Sequence, residues 1–84
     1  MSLSRKHFCF MAVEFGSILR DIDANHKHGS ELHLKCCDYV REAMYAFQYM
    51  CQKENSRFDR EKFQDFVADV RYERRDRTGK KVVA

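Results

Sequence analysis

The stretch Glu31–Lys53, ELHLKCCDYVREAMYAFQYMCQK, is the longest part of the chain that reads as one helix, and the predicted fold is organised around it. It contains neither Gly nor Pro and would be roughly 34 Å long at 1.5 Å per residue. At 100° per residue, one face of this helix is apolar over a wide arc, which predicts that two other helices pack on it. That face consists of Leu32, Cys36, Tyr39, Val40, Ala43, Phe47, Met50 and Cys51.

A second apolar pattern of helical period runs from residue 5 to about residue 24. Apolar side chains recur there at steps of three and four residues, which predicts a helix with one buried face, and Ser4 is a good N-cap residue before it. The predicted buried face is Phe8, Met11, Ala12, Phe15, Ile18, Leu19 and Ile22. Outside it lie Cys9, Phe10, Val13, Gly16 and Ser17. Phe10 and Val13 either fill the second side of a helix wedged between two neighbours or form an oligomer interface, and both interpretations stay open.

The third predicted helix begins with the most specific local signal in the chain. With Asp59 as N-cap, Phe58 and Phe63 stand at the two positions of a hydrophobic staple. Glu61 lies in the first turn, where the helix dipole favours an anion. The apolar pattern that follows predicts a helix from residue 60 to about residue 75.

The three predicted helices therefore span about residues 5–24, 31–53 and 60–75, with short polar connections between them. Connections of this length usually set consecutive helices antiparallel, and Ser30 is placed to cap the second helix. We predict an all-α three-helix bundle that forms a single domain over residues 1–78. A short, basic, flexible tail is predicted over residues 79–84.

The length and composition of the chain restrict its class. A chain of 84 residues has a thin core, so oligomerisation would help to stabilise it. No run approaches the roughly 20 apolar residues of a membrane span, and no secretory signal pattern is evident. We expect a cytoplasmic protein without membrane contact, whose four cysteines are reduced thiols.

Charge is distributed unevenly along the sequence. Residues 1–70 carry 10 Lys/Arg and 11 Asp/Glu, whereas residues 71–84 carry six basic residues against two acidic ones. The basic end could neutralise several phosphates while a tyrosine stacks on a base, so nucleic acid is a candidate partner. The predicted contacts are Arg71, Tyr72, Arg74, Arg75, Arg77, Lys80 and Lys81. The alternative is that these cations stabilise the C-terminal end of a helix through its dipole.

His26, His28, His33 and Cys37 form the one metal-like cluster of the sequence. Zinc accepts such nitrogen and sulfur ligands, and Cys37 near His33 is also the best candidate for a nucleophile beside a base. The spacing matches no established zinc signature, however, and three short helices offer little of the concave pocket that an enzyme needs. We predict no metal site, no cofactor and no catalytic residue.

The outer side of the central helix is the strongest candidate for a binding surface. It carries Leu34, Asp38, Arg41, Tyr45, Gln48, Tyr49 and Gln52. Tyr and Arg are enriched at the energetically dominant positions of protein interfaces. The predicted partner-binding residues are Leu34, Arg41, Tyr45, Tyr49 and Gln52. The alternative is that scattered apolar side chains on a surface are normal.

Three segments carry a resemblance to a known group of proteins. Ser4–Phe8 (SRKHF), Ile18–Asp21 (ILRD) and Glu54–Phe63 (ENSRFDREKF) resemble a pattern in short, mostly uncharacterised proteins of tailed bacteriophages, in which an opening S-R-K-x-F helix and a closing N-x-R-F-D-x-x-x-F segment bracket a variable middle. The resemblance implies a phage or prophage origin and a location in the cytoplasm of an infected bacterium.

These observations together predict a small, non-catalytic phage accessory protein. We expect it to bind a host or phage macromolecule as an inhibitor or modulator of a host process, and to be able to form a homodimer. The alternative is a small nucleic-acid-binding protein that uses the basic C-terminal end of its third helix.

Overall fold

The computed structural model describes residues 5–82 and contains three α-helices in that range. They are α1 (Arg5–Asn25), α2 (Glu31–Glu54) and α3 (Arg60–Arg71). The prediction of an all-α three-helix arrangement is confirmed, and each helix begins at the predicted residue. The predicted N-cap Ser4 lies outside the described residues. Within residues 5–82, none of the helices is both long enough and apolar enough to cross a membrane.

Two of the helix starts are fixed by the predicted local interactions. The Ser30 hydroxyl accepts a hydrogen bond from the His33 amide at 3.3 Å, and the Asp59 carboxylate accepts one from the Lys62 amide at 3.1 Å. The rings of Phe58 and Phe63 lie 5.7 Å apart, which confirms the hydrophobic staple. Both rings are buried, so the staple also anchors the connection between α2 and α3 in the core.

The helix at the centre of the packing is α1, and not α2 as predicted. Both other helices pack closely on α1, and the contact between α1 and α3 is the more extensive one. It is close because Gly16 faces α3: a Cβ at this position would lie 2.6 Å from Val70 Cβ and 2.8 Å from the Val67 carbonyl oxygen. The assignment of Gly16 to the unburied side of the first helix was therefore wrong. Ile18, which was assigned to the buried face, is exposed.

An aromatic cluster joins the three helices near the middle of the core. Phe15 of α1 lies 5.9 Å from Phe47 of α2 and 6.3 Å from Phe63 of α3, measured between ring centroids. Phe47 and Phe63 are 5.5 Å apart, and Phe8 packs on Phe58 at 4.7 Å. Tilted and edge-on pairs at these distances are favourable beyond the area that they bury. Contact between α2 and α3 is thus made largely by side chains.

The buried face of α2 differs from the predicted one by a rotation of about 90° around the helix axis, at 100° per residue. The residues that are buried on α2 are His33, Cys37, Met44, Gln48 and Cys51. Of the predicted face, Cys51 is buried and Val40 and Phe47 are partly buried. Leu32, Tyr39 and Met50 are 59%, 71% and 64% exposed, because α1 and α3 cover only one side of the wide apolar arc.

Gln48 is the clearest case of a polar residue that the prediction placed on the wrong side. It is completely buried. Its side-chain nitrogen donates to the Met44 carbonyl at 3.3 Å, and its oxygen accepts from the Gln64 amide group at 3.0 Å. A buried amide is tolerated when its hydrogen bonds are made, so the apolar periodicity alone misplaced this residue.

The chain after α3 forms a hairpin turn instead of the predicted continuation of the helix to residue 75. Arg75 and Lys81 form an antiparallel bridge, and the Gly79 amide donates to the Asp76 carbonyl at 3.0 Å. Gly79 has φ +90°, which glycine adopts without strain and which this type of turn requires. The backbone of Gly79 lies against Val13 and Phe66. Residues 79–82 of the predicted tail belong to this hairpin, and residues 83–84 lie outside the described part.

Replacement of Gly16 by Ala is expected to destabilise the fold, because α1 and α3 cannot keep their spacing around the added Cβ. Overpacking typically costs about 1–3 kcal/mol, whereas Ala is otherwise favoured over Gly in a helix by about 1 kcal/mol. A net decrease in the free energy of unfolding would therefore come from the close contact between α1 and α3. Urea unfolding measures it. Ser17→Ala is the neighbouring control, expected to change the free energy of unfolding by less than about 0.5 kcal/mol. A Gly16→Ala protein as stable as wild type would contradict the close approach.

Candidate functional site

A group of interacting polar side chains lies where the end of α1, the start of α2 and the end of α3 meet. Asp23 comes from the last turn of α1, His33 from the first turn of α2 and Arg71 from the last turn of α3. Arg71 Nε and Nη2 donate to Asp23 Oδ2 and Oδ1 at 2.8 and 2.9 Å. Asp23 Oδ1 also lies 2.7 Å from His33 Nε2. One carboxylate thus holds a residue from each of the other two helices.

The hydrogen bonds of His33 define its protonation. The Gly29 amide lies 3.2 Å from His33 Nδ1 and can only donate, so Nδ1 carries no proton. Nε2 is then the protonated nitrogen and donates to Asp23. The imidazole is buried with both nitrogens engaged. His33 is therefore built into the fold as a fully bonded core residue.

The charges of this group reinforce one another. The Arg71 guanidinium, followed by His33, holds the pKa of Asp23 at about 2, although partial burial opposes the shift. Asp23 in turn raises the pKa of Arg71. The ion pair is consequently fully ionised at neutral pH, and bidentate pairs of this geometry are the stronger kind.

The metal-like group of the sequence, for which we predicted no bound metal, is only partly brought together in the structure. Among the described residues, the group whose ligand atoms come within 4.8 Å of one another is Asp23, His28 and His33. His26 lies outside it, with Nδ1 3.1 Å from the Ile22 carbonyl oxygen. A cation bound to this group would have to displace the Arg71 guanidinium and the proton on His33 Nε2. In the structure these atoms instead form the ion pair and its hydrogen bonds.

Cys37 lies beside His33 but is not arranged as a nucleophile with a general base. Its Sγ is 3.8 Å from His33 Nε2 and accepts a hydrogen bond from Arg71 Nη2 at 3.6 Å. A base that activates a thiol needs a free nitrogen to take the proton, and both nitrogens of His33 are occupied. Cys37 is also buried. It packs as an interior thiol in contact with the ion pair.

The basic residues near the C-terminus are mostly engaged in ion pairs within the chain. Arg74 and Arg75 both contact Asp69, at 2.7 and 3.3 Å. Arg77 contacts Asp21, with Nη1 at 3.3 Å from Oδ2. The arginine partners hold the pKa values of Asp21 and Asp69 below their usual range. Carboxylates from the body of the chain thus offset much of the positive charge that the sequence assigns to this end.

Arg71 departs furthest from the predicted nucleic-acid contacts, because its side chain is only 12% exposed and is paired with Asp23. Tyr72 is exposed, with the guanidinium carbons of Arg71 and Arg74 at 5.2 and 5.9 Å from its ring centroid. Lys80 and Lys81 are exposed. Of the cations predicted to contact phosphate, only these two lysines have no carboxylate partner among the ion pairs of the described residues.

The predicted partner-binding residues do lie together on one flank of α2, which we call the tyrosine surface. It comprises Leu34, Arg41, Tyr45, Tyr49 and Gln52, all of them exposed. Arg41 makes only a long contact with the neighbouring Asp38, 3.7 Å between Nη1 and Oδ1. Lys53 Nζ lies 4.8 Å from the ring centroid of Tyr49. The surface follows the helix for about 27 Å and presents two aromatic rings beside two cations.

The two residues of the predicted oligomer interface differ in their surroundings. Phe10 is exposed, whereas Val13 is half-buried beside the backbone of Gly79. The structure therefore does not present them as one continuous apolar patch. Phe10 remains the exposed member of the pair.

Sequence reasoning missed Asp23, the residue on which the polar group depends. Asp23 and Arg71 are separated by 48 positions, so no local motif connects them. One signal was available: an acidic residue in the last turn of a helix opposes the helix dipole, and such a residue usually has a cationic partner nearby. Asp23 occupies that turn of α1 and Asp21 lies just before it, and both are paired with arginine.

Comparison with protein-family models, with curated proteins and with solved structures gives no match to this chain.

Acid unfolding should reveal the Asp23–Arg71 pair. The pKa of Asp23 is near 3.8 ordinarily and about 2 in the fold, so its ionised form contributes on the order of 2 kcal/mol of stability, present above pH 4 and lost as pH falls through 2. Asp23→Asn is expected to lower the free energy of unfolding at pH 7 by about that amount and to flatten its decline between pH 4 and pH 2. Asp65→Asn, at an exposed position of α3, is the control. Equal acid slopes for wild type and Asp23→Asn would contradict the assignment.

The four thiols should fall into two classes. Cys9 and Cys36 are half-buried, whereas Cys37 and Cys51 are buried, and burial raises the pKa of Cys51. Ellman's reagent is expected to modify Cys9 and Cys36 in the native protein, and the other two only after unfolding, because a buried thiol is not accessible to the reagent. Mass spectrometry of partly labelled protein identifies the sites. Fast native labelling of Cys37 would contradict its role as an interior residue.

Proposed function

We propose that this protein is a small, non-catalytic binding module that recognises another protein through the tyrosine surface of α2. The observation that supports this most directly is the exposure of Leu34, Tyr45 and Tyr49 along one flank of a helix that contacts the rest of the fold only on its other side. Each tyrosine offers a large contact area and a hydroxyl group and loses little conformational entropy on binding. Arg41 adds a guanidinium with five hydrogen-bond donors.

The geometry of the surface suits a partner with an apolar groove bordered by acidic groups. Tyr45 and Tyr49 are four residues apart and therefore lie one above the other on α2. Arg41 precedes them on the same flank, and Lys53 follows Tyr49. An amphipathic helix is recognised through such anchors at i, i+4 and i+8 when it lies in an apolar groove.

A binding role also agrees with how the titratable side chains are used. Asp23, His33 and Arg71 satisfy one another, Cys37 is buried against them, and the carboxylates Asp21 and Asp69 hold arginines. These groups stabilise the fold. The tyrosine surface takes no part in this network, so it is available to a partner.

The resemblance to short proteins of tailed bacteriophages guides the choice of partner. We propose a protein of the host bacterium or of the phage itself, with the module acting as an inhibitor or modulator of a host process. A compact module of this size works by covering a site on its partner, and a surface about 27 Å long is sufficient to cover a helix or a groove.

Affinity purification from bacterial lysate tests the proposal with a matched pair of variants. Proteins that bind through the tyrosine surface should be enriched with wild type and reduced at least tenfold with Tyr45→Ala/Tyr49→Ala, a loss of about 1.4 kcal/mol or more. Tyr39→Ala removes an exposed ring from another flank of the same helix, and it should retain them. Circular dichroism confirms that each variant is folded.

Two results would count against the tyrosine surface. The first is enrichment that the double variant leaves unchanged. The second is enrichment that disappears after nuclease treatment or falls steeply with salt, which would identify nucleic acid as the partner. A Lys80→Ala/Lys81→Ala variant then tests whether the two unpaired lysines make the contact.

A further inference from the structure

A second exposed face of α2 is apolar and is not covered by any residue from 5 to 82. It consists of Leu32, Cys36, Tyr39, Ala43, Ala46 and Met50, which we call the open stripe. All of them are exposed except Cys36, which is half-buried. The steps between them are four, three, four, three and four residues, the repeat by which one helix packs along another. From residue 32 to residue 50 this stripe contains no charged residue.

By helical register, the open stripe lies on the α1 side of α2, away from α3. On α2 it adjoins the flank that carries Val40 and Phe47, whereas Gln48, on the opposite flank, contacts Gln64 of α3. On α1 the exposed Ile18 lies on the flank opposite to Gly16, which faces α3. By helical register, Ile18 and the open stripe thus lie on the same side of the contact between α1 and α2.

We propose that the open stripe is the interface of a homodimer in which α2 packs antiparallel against α2 of a second copy. The spacing of the stripe is a palindrome centred on residue 41. In an antiparallel pair related by a twofold axis at that level, Leu32 lies opposite Met50 of the second copy, Cys36 opposite Ala46 and Tyr39 opposite Ala43.

The side chains complement one another in this register. The largest residue, Tyr39, meets the small Ala43, and Cys36 meets Ala46, so large side chains do not meet other large ones at the centre. The longer Leu32 and Met50 meet at the two ends, where the helices can separate slightly. An isologous interface requires this self-complementarity. Since the stripe is uncharged, a second copy would bury no unpaired charge.

The size of the stripe determines how strong the dimer should be. Three large and three small side chains bury on the order of 400–500 Å² per copy, below the roughly 800 Å² per partner of a standard interface. Association should therefore be weak, with a dissociation constant in the micromolar range. This interface is separate from the tyrosine surface, which would remain exposed in the dimer.

Sedimentation or light scattering from about 5 to about 500 μM, where weak interfaces dissociate, tests the proposal with two matched variants. Wild type should change from monomer to dimer over this range. Tyr39→Glu should remain monomeric, because the charge would be buried at the centre of the interface. Tyr45→Glu places the same charge at another exposed tyrosine of α2 and should dimerise like wild type. A wild type that is monomeric throughout, or a dimer that Tyr39→Glu leaves intact, would overturn the proposal.

A disulfide test addresses the register and does not depend on Tyr39→Glu being folded. In a Cys9→Ser background, Ala46→Cys should form a crosslinked dimer on mild oxidation, through Cys36 of one copy and the new thiol of the other. The same protein with Cys36→Ser should form at least tenfold less of the crosslinked dimer. The Cys9→Ser parent should give little crosslink, since the two Cys36 residues lie far apart in an antiparallel pair. Efficient crosslinking of the parent would indicate a parallel or different contact and overturn this arrangement.

Discussion

The Asp23 carboxylate of α1 forms hydrogen bonds with residues of both other helices, and the relative placement of the helix ends depends on it. It receives two hydrogen bonds from Arg71 and one from His33. A domain of this size has only about 4–13 kcal/mol of net stability, so a pair worth on the order of 2 kcal/mol is a substantial part of it. Since both partners are largely shielded, removal of one leaves the other poorly solvated, which makes this group a structural requirement.

The way in which α1 is packed explains why α2 remains so exposed. Gly16 lets α3 approach the backbone of α1 at Val67 and Val70, and this close contact fixes one side of the bundle. α2 then covers α1 from a second side through Phe47, and it reaches α3 only by side chains such as Gln48. Three helices in this arrangement cannot cover an apolar arc as wide as that of α2. The uncovered part of this arc is the open stripe.

The sequence was sufficient for the helices and their starts, since caps and staples are local. Ser30, Asp59 and the Phe58–Phe63 pair act within a few residues of the helix that they begin, and the structure contains each of them. The sequence was insufficient to predict which face of α2 is buried. The period of the apolar residues cannot distinguish a face that packs inside the same chain from one that packs against another molecule. The role of Gly16 and the pairing of Asp23 with Arg71 both depend on contacts between distant segments, which no single helix encodes.

The difference between the predicted and observed burial of α2 carries the strongest argument about function. Leu32, Tyr39 and Met50 follow a helical period that would ordinarily mark a core, yet the chain folds without covering them. If these exposed side chains contacted no other molecule, polar side chains at the same positions would let the helix fold equally well and would lower the risk of aggregation. The proposed contacts with other molecules would account for the apolar period that continues around α2 beyond the part that α1 and α3 bury. In the two interfaces that we propose, one flank of α2 binds a second copy and another flank binds a different protein, so a single helix would serve both contacts.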